Sequence, residues 1–280
     1  MSRPSTWALL AVVLTAIVGT STGAEPLVLR YGLAPGQRWS AVQTITRETS
    51  LGGQTRSDRG TARFDYQVAA GDHPDRLRLD ARMLSQSVSG EESPLDFSSI
   101  AFHAVTDRRG VKRGVRFELG DVEPPDLPGI EPDPVAFRQM LRQIAEAWID
   151  SVYWLPELPE QPLSVGEFFV IGDRDDVGGT EPGVRMEMVS KTTYTLREVS
   201  RGVARFDLSI RSNVEASTAR DTVESRRIAE GEAHFDLDLG MWSRHETRSE
   251  HRVVFAGEPA APGSATARTT TTIEMTKAGD

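Results

Sequence analysis

Residues 61–69 read TARFDYQVA, with an apolar side chain at every second position. This period of two is typical of an antiparallel strand with one buried and one exposed face. The same alternation recurs in residues 76–83, 203–209 and 233–239, and turn sequences such as Pro-Gly and Arg-Gly separate such segments. The pattern predicts a mainly β protein with about eleven or twelve strands.

Three of the strand-like segments are long: residues 38–50, 186–200 and 241–256. Long strands twist and coil, so a sheet built from them curls. We therefore expect a curled antiparallel sheet or an open half-barrel.

One segment departs from this period and predicts a single amphipathic helix over residues 134–153. Asp133 followed by Pro134 is a favoured start, with Asp as the N-cap and Pro in the first turn. Apolar residues then recur at helical spacing and form a stripe that needs a sheet to cover it. We expect the helix on the concave face of the sheet. The predicted core contains Tyr66, Leu77, Leu79, Phe137, Leu141, Ile144, Trp148, Phe206, Phe235 and Leu237.

Residues 1–24 are typical of a cleaved secretory signal. Arg3 precedes the apolar residues 7–19, and a run of small residues ends at Ala24. The apolar stretch is shorter than the roughly 20 residues that span a bilayer core. We expect an exported, soluble mature chain, periplasmic or extracellular, with no transmembrane segment. An uncleaved N-terminal anchor is the alternative, because Thr22 is not an ideal small residue before a cleavage site.

Residues 25–280 are predicted to form a single antiparallel β domain. It divides into two sequence halves, about 25–120 and 163–280, which the proline-flanked helix joins. Alternating strands in the two halves resemble each other weakly, so an internal duplication stays an open alternative to chance similarity.

The composition excludes several classes of function. The 280 residues include no cysteine, which excludes disulfides, thiolate metal sites and a cysteine nucleophile. The net charge is −9, and loss of Arg3 with the leader makes it −10. Nucleic-acid binding needs a clustered basic surface, so the acidic balance argues against nucleic acid as a main partner. Phosphate-binding, dinucleotide-binding and hydrolase motifs are missing from the sequence, and no cofactor is expected.

The strongest candidate for chemistry is a histidine set near the turn at Leu239-Gly240. His234 and Asp236 lie on one face of a predicted strand, and a two-residue hairpin loop would place His245 opposite His234. Two imidazoles and a carboxylate are a weak candidate zinc site. The alternative is an exposed polar face, which the alternation of Phe235 with its polar neighbours favours.

Two further features have both a structural and a functional interpretation. Aromatic and apolar residues are candidates to line a ligand cavity between sheet and helix, although such residues are more often ordinary core: Trp39, Leu141, Ile144, Trp148 and Trp242. The proline-rich residues 154–159 (WLPELP) are candidates to dock a partner. Covering a sheet edge is the favoured alternative for that segment.

Short motifs give the chain a resemblance to a family of exported bacterial β-proteins of unknown function. They are LRY at 29–31, APGQ at 34–37, LPELP at 155–159 with Val165-Gly166, and GEAHFD at 231–236. Many members of that family carry a lipidated cysteine, which this chain lacks. The overall plan is also similar to the half-barrel lipoprotein carriers of the bacterial envelope, which implies an architecture and not a shared function.

These observations favour a non-enzymatic exported envelope protein, a structural or protein-interaction module. The first alternative is a carrier of a lipid or other apolar ligand between sheet and helix. The second is a metal-assisted enzyme around His234 and His245. The expected partner is accordingly an envelope protein or an apolar ligand.

Overall fold

The computed structural model describes residues 25–51, 54–92, 97–120, 133–178, 185–217, 221–257 and 263–278. Residues 1–24, where the secretory signal is predicted, lie outside them. The described residues form one curled antiparallel sheet that does not close, together with a single helix. The predicted fold class is therefore confirmed.

Twelve strands are present in the described part of the chain. They are β1 (Arg38–Leu51), β2 (Gln54–Ala70), β3 (Leu77–Val88), β4 (Glu91–Glu92), β5 (Ile100–Thr106), β6 (Lys112–Leu119), β7 (Phe168–Gly178), β8 (Arg185–Ser200), β9 (Val203–Ser217), β10 (Asp221–Asp236), β11 (Met241–Gly257) and β12 (Gly263–Lys277). The order across the sheet is β6-β5-β3-β2-β1-β12-β11-β10-β9-β8-β7, and β4 pairs with β3 outside this path. Pairing of β1 with β12 joins the strands that precede the helix to those that follow it.

The helix α1 runs from Pro134 to Val152, close to the predicted bounds. Asp133 is the N-cap, and its carboxylate accepts a hydrogen bond from the backbone N–H of Val135 at 2.8 Å. The apolar stripe packs against the β5–β6 side of the sheet, where Leu141 and Val152 are buried. Two tyrosines fix the end of the helix: Tyr66 donates to the carbonyl of Val152 at 2.8 Å, and Tyr153 donates to that of Leu79 at 3.0 Å.

The inner face of the sheet changes character along the strands. At one end, which we call the packed end, cross-strand neighbours such as Trp39 and Tyr66 are buried aromatic residues. At the other, the polar end, the strands continue with small and polar side chains, as in the neighbours Ser212, Arg227 and His251. Because each strand crosses both regions, one sheet carries a hydrophobic core at one end and a polar inner surface at the other.

The predicted core lies at the packed end. Six of its ten residues are buried: Tyr66, Leu77, Leu79, Leu141, Phe206 and Phe235. The other four are partly buried against the same cluster: Phe137, Ile144, Trp148 and Leu237.

Irregular segments cover the packed end. The chain before β1 pairs with the segment after α1 through Leu27 and Leu163, which exchange backbone hydrogen bonds at 2.7 and 2.9 Å. Gly32 donates to the carbonyl of Gly240 at 2.8 Å, in the turn between β10 and β11. A Cβ on Gly240 would lie 2.3 Å from the Gly32 nitrogen, so this contact requires glycine.

Candidate functional site

The ligand-cavity candidates divide between the core and the helix–sheet boundary. Trp39, Leu141 and Trp242 are buried in the packed end. Trp242 is completely buried at 0% exposure, and its ring lies 5.2 Å from that of Phe235 and 5.3 Å from that of Phe206. Its indole N–H donates to the hydroxyl of Tyr31 at 2.9 Å. Other residues of the core therefore occupy the ring faces and edges of Trp242 that a ligand would contact.

Ile144 and Trp148 are partly buried at the boundary between helix and sheet. Trp148 packs edge-on against Phe97, with ring centroids 4.8 Å apart. It also lines a cavity of about 100 Å³ beside Ile45, Phe64 and Met83. Sites for small ligands usually measure roughly 300–1,000 Å³, so this cavity is too small for a lipid chain.

The two histidines of the candidate metal site lie on opposite faces of the sheet. His234 pairs with Arg244, and His245 pairs with Ala233. The predicted register is therefore wrong, because the turn contains four residues instead of two and a β-bulge follows His234. A shift of one residue exchanges the faces of a strand.

Asp236 has a structural role in that turn. Its carboxylate accepts hydrogen bonds from the backbone N–H groups of Asp238 and Leu239 at 3.0 and 2.9 Å. His234 has Glu232 at 4.0 Å as its carboxylate neighbour. Burial and the guanidinium of Arg205 lower the pKa of His234, which disfavours its protonation. Among the residues that the structure describes, no group of three potential ligands could hold a metal ion.

His245 lies on the inner face among aromatic rings. Its ring centroid is 5.7 Å from that of Trp154, and its Nε2 is 3.5 Å from the Tyr194 hydroxyl. Burial lowers the pKa of His245 to about 4, so the imidazole is neutral at neutral pH. This histidine therefore lies partly buried beside the core.

A concave feature with a volume of about 1,050 Å³ lies on the outer face of β9, β10 and β11. Its walls carry arginines and acidic residues in near balance, and some of these form ion pairs. Glu246, for example, accepts hydrogen bonds from Arg244 at 2.8 Å and from Arg248 at 3.1 Å. The Arg244 hydrogen bond is the main cause that lowers the pKa of Glu246. A groove with both charges in near balance favours neither an apolar ligand nor one with a large net charge.

The proline-rich segment after the helix is held against the protein. Arg109 donates to the Leu158 carbonyl at 3.1 Å and forms ion pairs with Glu157 and Glu160, both at 2.5 Å. The Pro156 carbonyl accepts a hydrogen bond from Tyr31 at 2.8 Å. We call residues 155–162 the strap. Its buried leucines and internal partners support the structural interpretation of this segment.

The outermost strand β7 leaves a sheet edge free. It pairs with β8 on one side, and no described strand pairs with it on the other. The backbone C=O and N–H groups of Leu196 both point towards the β7 side. The C=O accepts a hydrogen bond from the N–H of Gly166 at 2.7 Å, and the N–H donates to the C=O of Glu167 at 2.8 Å. Backbone groups alternate in direction along a strand. Tyr194 and its partner Phe169 therefore exchange backbone hydrogen bonds. The backbone N–H and C=O groups of Phe168 and Val170 point to the free side of β7.

Apolar side chains accompany this edge on the outer face. Phe168 is 61% exposed and Val170 is 42% exposed, and Val165 just before the strand is exposed as well. On the inner face, Phe169 is buried and stacks on Tyr194 with ring centroids 4.8 Å apart. The first part of β7 is thus anchored to the core while its edge and outer face stay open.

Sequence reasoning missed this edge. The run FFVI at 168–171 is a signal for a strand, but period alone does not tell a central strand from an outermost one. The sheet order depends on distant pairings such as that of β1 with β12.

Comparisons with known proteins give no family for this chain. No known protein family and no curated protein matches the sequence. Among solved structures, Ail, the attachment invasion locus protein of Yersinia pestis, is 7% identical over 87% of this chain and all of that chain, with a TM-score of 0.19. A triple mutant of Rhodopseudomonas blastica porin is 6% identical over 85% and 99%, with a TM-score of 0.22. OccK11 (OpdR) of Pseudomonas aeruginosa is 8% identical over 90% and 100%, with a TM-score of 0.21. Scores this low carry no argument about function.

The described part of the chain contains no helix that is both long enough and apolar enough to cross a membrane.

Proposed function

We propose that this protein is a non-enzymatic, exported protein-interaction module, and that the free edge of β7 binds an extended segment of a partner protein. The observation that carries the proposal is the backbone of Phe168 and Val170, which no other described residue pairs on the free side of β7, beside exposed apolar side chains. Unpaired edges add strands readily, and main-chain hydrogen bonds supply the affinity in such complexes. The secretory signal predicted in residues 1–24 supports an envelope or extracellular location.

The distribution of charge in the β7 sequence indicates which residues a partner segment carries. The apolar residues 168–171 are followed by the sequence Asp-Arg-Asp-Asp at 173–176, which carries a net charge of −2. An antiparallel partner strand that complements β7 therefore has basic residues first and apolar residues after them. A second copy of this chain fits less well, because its β7 carries the same net charge of −2 after the apolar residues.

The carrier alternative has less support. Three of the five cavity candidates are packed inside the core, and the cavity beside Trp148 measures about 100 Å³. A metal-assisted reaction lacks the geometry proposed for it, since His234 and His245 face opposite sides of the sheet.

Photo-crosslinking in the producing cells tests the proposal. A photoreactive phenylalanine analogue replaces Phe168 in one variant and Val135 in a control, where the side chain is 75% exposed on the helix. We expect a discrete adduct with another protein from position 168 and none from position 135. Equal adducts at both positions, or none at position 168, would contradict the proposed edge.

A further inference from the structure

Arg227 stands out on the inner face of the polar end. Within residues 223–231 of strand β10, the inner face carries uncharged residues except for Arg227, and the outer face carries charged residues except for Ile228. Its direct neighbours are His251 on β11 and Ser212 on β9. Ser225 lies two residues earlier on the same face of β10.

The guanidinium of Arg227 is half-buried, and no described group compensates its positive charge. Within the described ranges it has neither a hydrogen-bond acceptor nor a carboxylate partner. Burial lowers the pKa of Arg227. The acidic residues nearest to it in sequence, Glu224 and Glu230, are exposed and belong to the opposite face of the strand, together with Arg226. A cation that is withdrawn from water without a neighbouring anion destabilises the folded chain, and a bound anion would offset this cost.

The neighbours of Arg227 can supply further hydrogen bonds. Ser225 Oγ and His251 Nε2 lie 2.5 Å apart, within hydrogen-bond distance. Directly opposite residues in an antiparallel pair have Cβ atoms about 4.5–5.5 Å apart, which brings His251 and Ser212 to the two sides of Arg227. A guanidinium flanked by hydroxyl and imidazole groups matches an oxyanion, which accepts two parallel N–H bonds from arginine and further bonds from neutral donors.

We propose that the inner face of β9, β10 and β11 at Arg227 is a binding site for an oxyanion, a phosphate or carboxylate group of a small ligand. Arg227 supplies the charge, and Ser212, Ser225 and His251 surround it. This site is separate from the free edge of β7 and holds whether or not that edge binds a partner.

Thermal unfolding tests the site with inorganic phosphate and acetate as probes, each against chloride at equal ionic strength. A ligand that binds only the folded chain raises the unfolding midpoint, and the rise grows with the logarithm of the ligand concentration once this exceeds the dissociation constant. For a chain of this size, a concentration ten times the dissociation constant corresponds to a rise of about 3–5 °C. A rise in phosphate alone assigns a phosphate group to the site, and a rise in acetate assigns a carboxylate.

Two variants on neighbouring positions make the test specific. Arg227→Met is expected to unfold at a higher temperature than the wild type in chloride, because it removes the unpaired cation, and to show no response to either anion. Arg226→Met, on the outer face, is expected to keep the wild-type response. Ser225→Ala removes one hydroxyl and is expected to weaken anion binding several-fold, which preserves the test if Arg227→Met fails to fold. The proposal is overturned if neither anion shifts the wild type, or if Arg227→Met responds as strongly as the wild type.

Discussion

The packed end and the polar end of the sheet are made from the same strands, yet one inner face is a buried hydrophobic core and the other is an uncovered polar surface. At the packed end, Trp39, Tyr66 and Trp242 are buried in the same hydrophobic cluster as residues of the helix and the strap. At the polar end, Arg227 and His251 occupy equivalent inward positions without a covering element in the described chain. Buried apolar contacts are therefore concentrated at one end, and the inner face of the polar end stays open to the oxyanion that we propose at Arg227.

The largest expected effect concerns Trp242, at the centre of the packed end. Trp242→Ala removes three ring contacts and the hydrogen bond to Tyr31, and we expect a loss of about 3–5 kcal/mol in the free energy of unfolding. Ser249→Ala at the polar end removes a weak hydrogen bond of 3.4 Å and is expected to cost under about 1 kcal/mol. Urea unfolding measures both, and equal losses would remove the distinction between the two ends.

A second prediction uses pH at the boundary between the two ends, where His245 is buried. Because burial lowers its pKa from 6.5 to about 4, the unfolded chain binds more protons than the folded chain between these values. Stability is expected to fall by about 3 kcal/mol as the pH decreases from about 6.5 to about 4. His245→Phe should flatten this dependence, while a variant of the exposed His73 to Gln should retain it. Identical pH profiles for the wild type and His245→Phe would show that His245 is not buried as described.

The attachment of the strap at the packed end depends on Arg109. Arg109→Ala leaves the Leu158 carbonyl without its guanidinium donor and removes two ion pairs, so we expect a loss of about 1–3 kcal/mol. Proteolysis within residues 155–162 should accelerate in this variant. Arg248→Ala removes only an exposed ion pair to Glu246 and serves as the control, with an expected cost of at most about 1 kcal/mol. A strap that is equally resistant in both variants would contradict its attachment through Arg109.

The smallest expected effect concerns the start of the helix. Asp133→Ala removes the side chain that caps the N–H of Val135 and is expected to cost about 1 kcal/mol. Asp133→Asn keeps an acceptor at this position and should restore most of the loss. Chemical unfolding monitored by far-ultraviolet circular dichroism distinguishes the two, and no difference between Ala and Asn would argue against the cap.

Local sequence patterns predicted the strands and the helix. Contacts between residues far apart in sequence determine which face a side chain occupies and which strand forms the edge of the sheet. The alternation in residues 61–69 and the pair Asp133-Pro134 are read within a few residues, and both the strand and the helix start follow from them. The face of His245 depends on a four-residue turn and a bulge, which a period of two does not encode. The strap is held by Arg109 from a separate part of the chain, and β7 is an edge only because the order of the sheet places it there.

Native mass spectrometry of the exported protein, purified without detergent, shows whether the free edge of β7 binds another protein. We predict a complex of the chain with a second protein. Val170→Pro should abolish this complex, because it removes an N–H on the free side of β7 without breaking the pairing with β8. Val170→Thr keeps that N–H and should retain the complex. A bound species in the mass range of a lipid, present in all three proteins, would contradict the interaction module and support the carrier.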